Sequence, residues 1–295
     1  MTTLQPTIDA HAHVFRRGLG LAAGRRYTPD YDAPLGRYLE KLDLNGLSHG
    51  VLVQPSFLGT NNSYLVDCLR RAPERLRGVA VVDPAAPGDE LLGLQRAGVV
   101  GIRLNLVGRP LPDLGTTEWR SLLGVVRRLG WHVEVQRNAS DLGIILPVLL
   151  DAGVPVVLDH FSLPDPIAGP CDPGFRALLK FGRSRRVWVK LSAPYRLGAG
   201  GEHIAGELYL RLRDAFGLER LMWGSDWPHT QFEGMQTYEN SYRLFANLIG
   251  NDVEFAAVLA SPQDLFRFRE PLSKSRPDAA ASGREMPGET PIRPC

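Results

Sequence analysis

Cysteine is scarce: three residues in 295, scattered as Cys68, Cys171 and Cys295, with no CxxC pair. That excludes a disulfide framework and a thiolate metal site, and points to free thiols in a reducing, cytoplasmic compartment. Long apolar runs are missing too. A run such as residues 154–158 has the length of one strand, far below the roughly 20 residues that cross a bilayer. The first residues lack the basic and apolar regions of a signal peptide. No block of one charge sign is present, and 34 Lys and Arg against 32 Asp and Glu leave a net charge of +2. Nucleic acid and membrane surfaces are therefore excluded as expected partners. No Gly-rich phosphate loop follows the first strand pattern, where a dinucleotide-binding fold would carry one.

What is present is alternation. Strand patterns at residues 7–10, 49–54, 78–82, 99–105, 131–136, 154–159, 187–192 and 221–226 are separated by helical ones. The helical patterns cover 35–44, 63–71, 89–97, 116–129, 140–152, 174–183 and 202–216, with two more at 238–248 and 252–259. A hydrophobic fraction of 44% supplies the core. Eight such units predict an α/β fold, a (β/α)8 TIM barrel over residues 1–268. The loop at 16–34 is of the kind that covers a barrel mouth. From about Glu270, Ser, Pro, Gly and mixed charge replace apolar periodicity, so 269–295 reads as a disordered tail.

Side chains alternate between strand faces. In the seventh strand Val187, Val189 and Leu191 oppose Trp188, Lys190 and Ser192; in the fifth, His132, Glu134 and Gln136 share the polar face. The fourth contributes Gly101, Arg103 and Asn105, and the first is read as placing Asp9, His11 and His13 together. Near the strands' C-terminal ends this gathers His11, His13, Gln54, Ser56, Arg103, Asn105, Gln136, His160, Ser192 and Asp226, with Glu134 and Lys190 as a buried ion pair below. Barrel active sites sit at that end, so an enzyme is expected. Barrel closure brings Asp226, at the end of an apolar run, beside His11 and His13. These three could bind one divalent ion with His160 nearby, since three protein ligands plus water make a catalytic zinc site. Tyr27, Tyr31 and Trp227 are candidate pocket walls, and His229 a candidate support for the Asp226 loop. His49, His132 and His203 read as structural.

Three pieces carry a family resemblance: Asp9-Ala10-His11-Ala12-His13, His160, and Gly224-Ser225-Asp226-Trp227-Pro228-His229. They resemble the amidohydrolase superfamily (amidohydrolase-related family 2). VLVQPS at 51–56, GIRLN at 101–105, VVLDH at 156–160 and VWVKLS at 187–192 are similar to its pyrone-dicarboxylate lactonase branch. The resemblance covers about residues 7–268. It implies a hydrolase that opens a small anionic lactone like 2-pyrone-4,6-dicarboxylate in aromatic catabolism. Asp226 would be the general base that activates water and then protonates the leaving group. His11, His13 and His160 would polarise the carbonyl or place the water. Arg103, Arg109 and Arg196 would hold substrate carboxylates, a task suited to a planar guanidinium, with Ser56 and Gln136 completing the substrate-binding set. Gln136 stands where many metal-dependent members carry a His or a modified Lys. That favours a site without a cofactor, in which arginines supply the electrophilic charge. The alternative is one Zn or Mn ion on His11, His13 and Asp226. The expected partner is a small anionic molecule, the barrel acting as a monomer or homo-oligomer. The rival readings are a metal-dependent decarboxylase, a sugar-acid or muconolactone hydrolase of the same barrel family, and an inactive carboxylate-binding barrel.

Overall fold

The computed structural model describes residues 5–269. Eight parallel strands follow one another in sequence order: β1 (Ile8–Ala12), β2 (His49–Val53), β3 (Leu76–Ala80), β4 (Val99–Asn105), β5 (His132–Gln136), β6 (Val156–Leu158), β7 (Val187–Ser192) and β8 (Leu221–Gly224). Between them run α1 (Leu35–Leu44), α2 (Ser63–Arg71), α3 (Gly88–Arg96), α4 (Thr117–Arg128), α5 (Ala139–Asp151), α6 (Pro173–Leu179) and α7 (Gly201–Phe216). Helices α8 (Tyr238–Ile249) and α9 (Asp252–Ala260) follow β8. The sheet closes just beyond β8, where the Asp226 N–H donates to the His11 carbonyl at 2.8 Å and the His13 N–H to the Trp227 carbonyl at 2.7 Å. The result is the (β/α)8 barrel that the alternation predicts. The expectation of a disordered tail falls, apart from Arg269, outside the described residues. Among those residues no helix is long and apolar enough to cross a membrane.

Apolar burial is organised in two zones. Leu52, Ile102, Leu104, Val133, Val135 and Val189 face outward and pack with the helices. Inside, Val51, Val53, Val79, Val157 and Met222 surround Phe266, which follows α9 and fills the lower barrel. Parallel strands buried on both faces read as near-continuous apolar runs for this reason. Glycine is required where two backbones meet. A Cβ on Gly224 would lie 2.5 Å from the His11 Cβ, so β8 approaches β1 closely only without a side chain there.

One face assignment is corrected. The β1–β2 register shifts between Asp9 and Ala12. A β-bulge adds a residue and turns part of the strand over. Ile8 and Ala10 therefore join the interior apolar cluster. Asp9 faces the outer layer, where it accepts from the Ser225 hydroxyl at 2.7 Å, the Ser225 N–H at 2.9 Å and the Tyr238 hydroxyl at 3.0 Å. Only His11 and His13 of the expected trio face inward. Asp9 instead ties β1 to the segment after β8 and to α8.

Candidate active site

A cavity of about 320 Å³ opens at the C-terminal ends of the strands, with His13, Ser56, Arg103, Gln136, Arg196 and Asp226 in its wall. His11 and His160 lie buried behind it. Arg109 is exposed on the loop after β4 and is not part of the wall. Gln54 also points elsewhere: its amide donates to the carbonyls of Gly59 at 3.1 Å and Asn61 at 2.8 Å, bracing the turn that carries Ser56. Trp227 stacks on Tyr38 at 5.6 Å between ring centroids and does not wall the cavity. Tyr27 does.

Asp226 sits on left-handed backbone (φ 58°). Its two oxygens have different surroundings. Oδ2 accepts from the Tyr195 hydroxyl at 2.7 Å and from Arg196 Nε at 2.8 Å. Oδ1 is buried without a hydrogen-bond partner, 3.6 Å from the Nε2 atoms of His11 and His13 and 4.0 Å from that of His160. Burial pushes the carboxyl toward neutrality, but the Arg196 guanidinium beside it outweighs that and the carboxyl is held well below the usual carboxylate range. His160 and the next three residues all have positive φ, which turns the imidazole back over the barrel end. His229 Nδ1 lies 3.1 Å from the Tyr195 hydroxyl and so supports the same group.

The imidazoles are neutral. Burial lowers His11 well below its ordinary value, lowers His13, and brings His160 to about 4. His13 Nδ1 is 2.7 Å from the Val53 carbonyl, so it donates there and leaves a lone pair on Nε2. His11 Nδ1 is 2.9 Å from Lys190 Nζ. The same Nδ1 lies 3.3 Å from Asp159 Oδ1, so it faces a donor and an acceptor at once, and Nε2 is 3.3 Å from His13 Nε2.

Beneath lies a network of four charged side chains. Lys190 Nζ meets Glu134 Oε2 at 2.5 Å, the ion pair the sequence suggests, and lies 3.5 Å from Asp159 Oδ1. Arg103 contacts Asp159 Oδ2 through Nη2 at 2.7 Å and through Nε at 3.1 Å, and Glu134 Oε1 at 3.2 Å. Burial opposes the charge on Asp159, but Arg103 and Lys190 hold it well below its ordinary value. Burial and the Asp159 charge push Glu134 up to about 7. Arg103 thus stands both in a buried ion pair and in the cavity wall.

The ligand atoms of His11, His13 and Asp226 lie within 4.8 Å of one another, as do those of His11, Asp159 and His160. The spacing suits a divalent ion: in the first set His13 Nε2 keeps a lone pair and Asp226 Oδ1 is without a partner, whereas in the second Asp159 is engaged by Arg103.

Three contributors, Asp159, Tyr195 and Arg26, escaped sequence reading, as did one contact of Lys190. Asp159 shares a face with Val157, so strand alternation held the signal. Lys190 was paired only with Glu134, and its contact with His11 crosses the barrel. Tyr195 and Arg26 sit in irregular loops without a spacing signal. Arg26 lines the cavity from the 16–34 loop. That loop is anchored where the Tyr27 and Tyr31 hydroxyls donate to Glu233 Oε1 at 2.5 and 2.6 Å.

Acid should unfold this protein early. Burial lowers six histidines, His11, His13, His49, His132, His160 and His229, with His132 at about 3 and His229 at about 4. Unfolded histidine protonates near 6.5, so below that pH the unfolded chain binds more protons and stability falls, down to the folded values. At pH 5 His132, His160 and His229 each contribute a loss on the order of 1–2 kcal/mol. Glu134, raised to about 7, and Asp9, raised by burial, act in the opposite sense. Thermal unfolding between pH 7 and pH 5 is expected to show a steep fall in Tm. A flat profile would place these rings in water.

The amidohydrolase family profile matches residues 8–268. The chain is 33% identical over 234 residues to 2-pyrone-4,6-dicarboxylate hydrolase of Comamonas testosteroni, covering 75% of this chain and 76% of that one. It is 29% identical over 228 residues to 4-sulfomuconolactone hydrolase of Rhizobium radiobacter, covering 76% of each. A solved structure from Acinetobacter baumannii, described as a probable 2-pyrone-4,6-dicarboxylic acid hydrolase with citric acid bound, is 40% identical. It superposes with a TM-score of 0.86 over 88% of this chain and 99% of that one. With its histidine and aspartate pieces gathered at one barrel mouth, the chain belongs to the amidohydrolase family.

Proposed function

We propose that this enzyme hydrolyses a lactone, a small anionic cyclic ester of the 2-pyrone-4,6-dicarboxylate kind, without a metal ion. The observation that carries the reading is the half-satisfied Asp226. One oxygen is fixed by Tyr195 and Arg196, while the other is partnerless beside the cavity. A carboxylate held ionised with one free oxygen is arranged to take a proton from water. The relatives named above supply the substrate class: two are lactone hydrolases, and the third holds a tricarboxylate.

In this mechanism Asp226 Oδ1 accepts a proton as the water oxygen adds to the lactone carbonyl. The tetrahedral intermediate then expels the ring oxygen, which takes the proton from Asp226. A carboxylic acid and an enol result, and the acid ionises in water. His13, backed by His11 and His160, accepts a hydrogen bond from the water through its Nε2 lone pair as a neutral group. Arg103 and Arg196 offer positive charge to the oxyanion and to the substrate carboxylates. Ser56 and Gln136 face the same space. Support for a metal-free route comes from Gln136, a poor metal ligand at the end of β5, and from the two guanidinium groups beside the base.

The test is hydrolysis of 2-pyrone-4,6-dicarboxylate by protein dialysed against a chelator, followed by loss of pyrone absorbance and by proton release. Turnover should survive dialysis and gain nothing from Zn or Mn. Activity restored only by an added ion would overturn the metal-free route. No turnover of this compound alongside turnover of 4-sulfomuconolactone would move the substrate within the lactone class.

A further inference from the structure

The cavity wall holds three guanidinium groups, those of Arg26, Arg103 and Arg196. Arg103 is neutralised by Asp159, and Arg196 by Asp226. Arg26, among the described residues, has neither a hydrogen bond nor an ion pair. Its backbone is nevertheless held in place. The next residue, Tyr27, is tied to Glu233, Arg25 bonds within the loop to Thr28 Oγ1 at 2.8 Å, and the Ala22 N–H donates to the Phe57 carbonyl at 2.8 Å. The side chain lies over Gly108, where an added Cβ would stand 3.9 Å from Arg26 Cδ. Partial burial and the charges of Arg109, Arg103 and Arg196 lower its affinity for its own proton. A cation placed among cations on a fixed loop, with no carboxylate of the protein to meet it, is complementary to an anion that arrives from outside.

We propose that Arg26 binds an anionic group of the substrate at the cavity mouth, so that the enzyme selects lactones with two separated negative charges over those with one. This rests on the lactonase reading for the word substrate. The site itself rests on the charge arrangement. Arg26 takes one carboxylate or sulfonate at the rim while the ester carbonyl sits against Asp226. Hydrogen bonds between charged partners are roughly twice as strong as neutral ones, whereas exposure at the rim and salt reduce the gain.

The experiment measures Kd by calorimetry for 2-pyridone-4,6-dicarboxylate, a lactam that resists opening. It is compared with 2-pyridone-4-carboxylate, 2-pyridone-6-carboxylate and uncharged 2-pyridone, on wild type, Arg26→Gln and Arg26→Lys. Arg26→Gln should weaken the dicarboxylate by roughly 10-fold and one monocarboxylate equally, with the other monocarboxylate and 2-pyridone unchanged. Arg26→Lys should recover part of the loss, and the difference should shrink at high salt. Unchanged dicarboxylate binding in Arg26→Gln, an equal loss for all four compounds, or no dicarboxylate binding by wild type would overturn the proposal. Arg26-dependent binding by a wild-type protein that opens no lactone would instead defeat the reaction reading and leave the anion site standing.

Discussion

Asp226→Asn is expected to lower kcat for lactone opening by roughly 10³-fold, within the 10²–10⁴ range of positioned general bases. The amide is close to isosteric, so Tyr195 and Arg196 keep a neighbour of the same shape at the Oδ2 position. What disappears is the proton acceptor at Oδ1 and the negative charge. Losing that charge releases Arg196 toward the cavity, so affinity for a dianionic lactam should hold or improve while kcat falls. That split is the diagnostic. A variant within 10-fold of wild type would show that another group activates the water, and the inactive-barrel reading predicts no change because nothing turns over.

Arg103→Met is expected to cost about 3–5 kcal/mol of stability, because it leaves the fully buried Asp159 without its nearest cation. A loss of that size corresponds to a fall in Tm on the order of 10 °C for a chain of this length. Thermal unfolding at pH 7 checks it. Adding Asp159→Asn should return a substantial part of the loss, since an amide tolerates burial without a counter-ion better than a carboxylate does. A single variant within 2 °C of wild type would mean that Lys190, 3.5 Å from Asp159, balances that carboxylate alone. The Arg103 variant should also lose activity, so the double variant separates stability from chemistry.

The bounds of α1, α2, β4 and β7 match their sequence patterns residue for residue, because apolar periodicity there ends at Gly, Pro or a polar break. Where the pattern misled, pairing decided. Residues 78–82 look like the third strand, yet β3 starts at Leu76, where the register with β2 begins, and Val81 and Val82 lie beyond it. β6 is shorter than its apolar run because Val154 still donates to the Leu149 carbonyl of α5 and Pro155 has no N–H to give the sheet. The bulge that sends Asp9 outward has no sequence mark either. At the site, His11, His13, His160 and Asp226 were legible because strand ends converge by topology. Arg26 and Tyr195 were not, because irregular loops have no period from which to read a direction. Arg109 stood out for its charge; its exposed loop places it outside the wall, close enough to Arg26 for the two charges to act on each other.

In the proposed mechanism the same residues that close the barrel also carry the chemistry. Asp9 and Ser225, 216 positions apart, are joined by hydrogen bonds, and Asp226 donates its N–H to His11 in the adjoining contact. Contacts of such long sequence separation are entropically the most expensive to form and tend to form late. A chain that has assembled β1 to β7 has the histidines but no base opposite them. During synthesis, the nascent protein is therefore inert until β8 emerges and docks. In refolding, recovery of activity should trail recovery of helical signal, so that turnover itself reports the last closure.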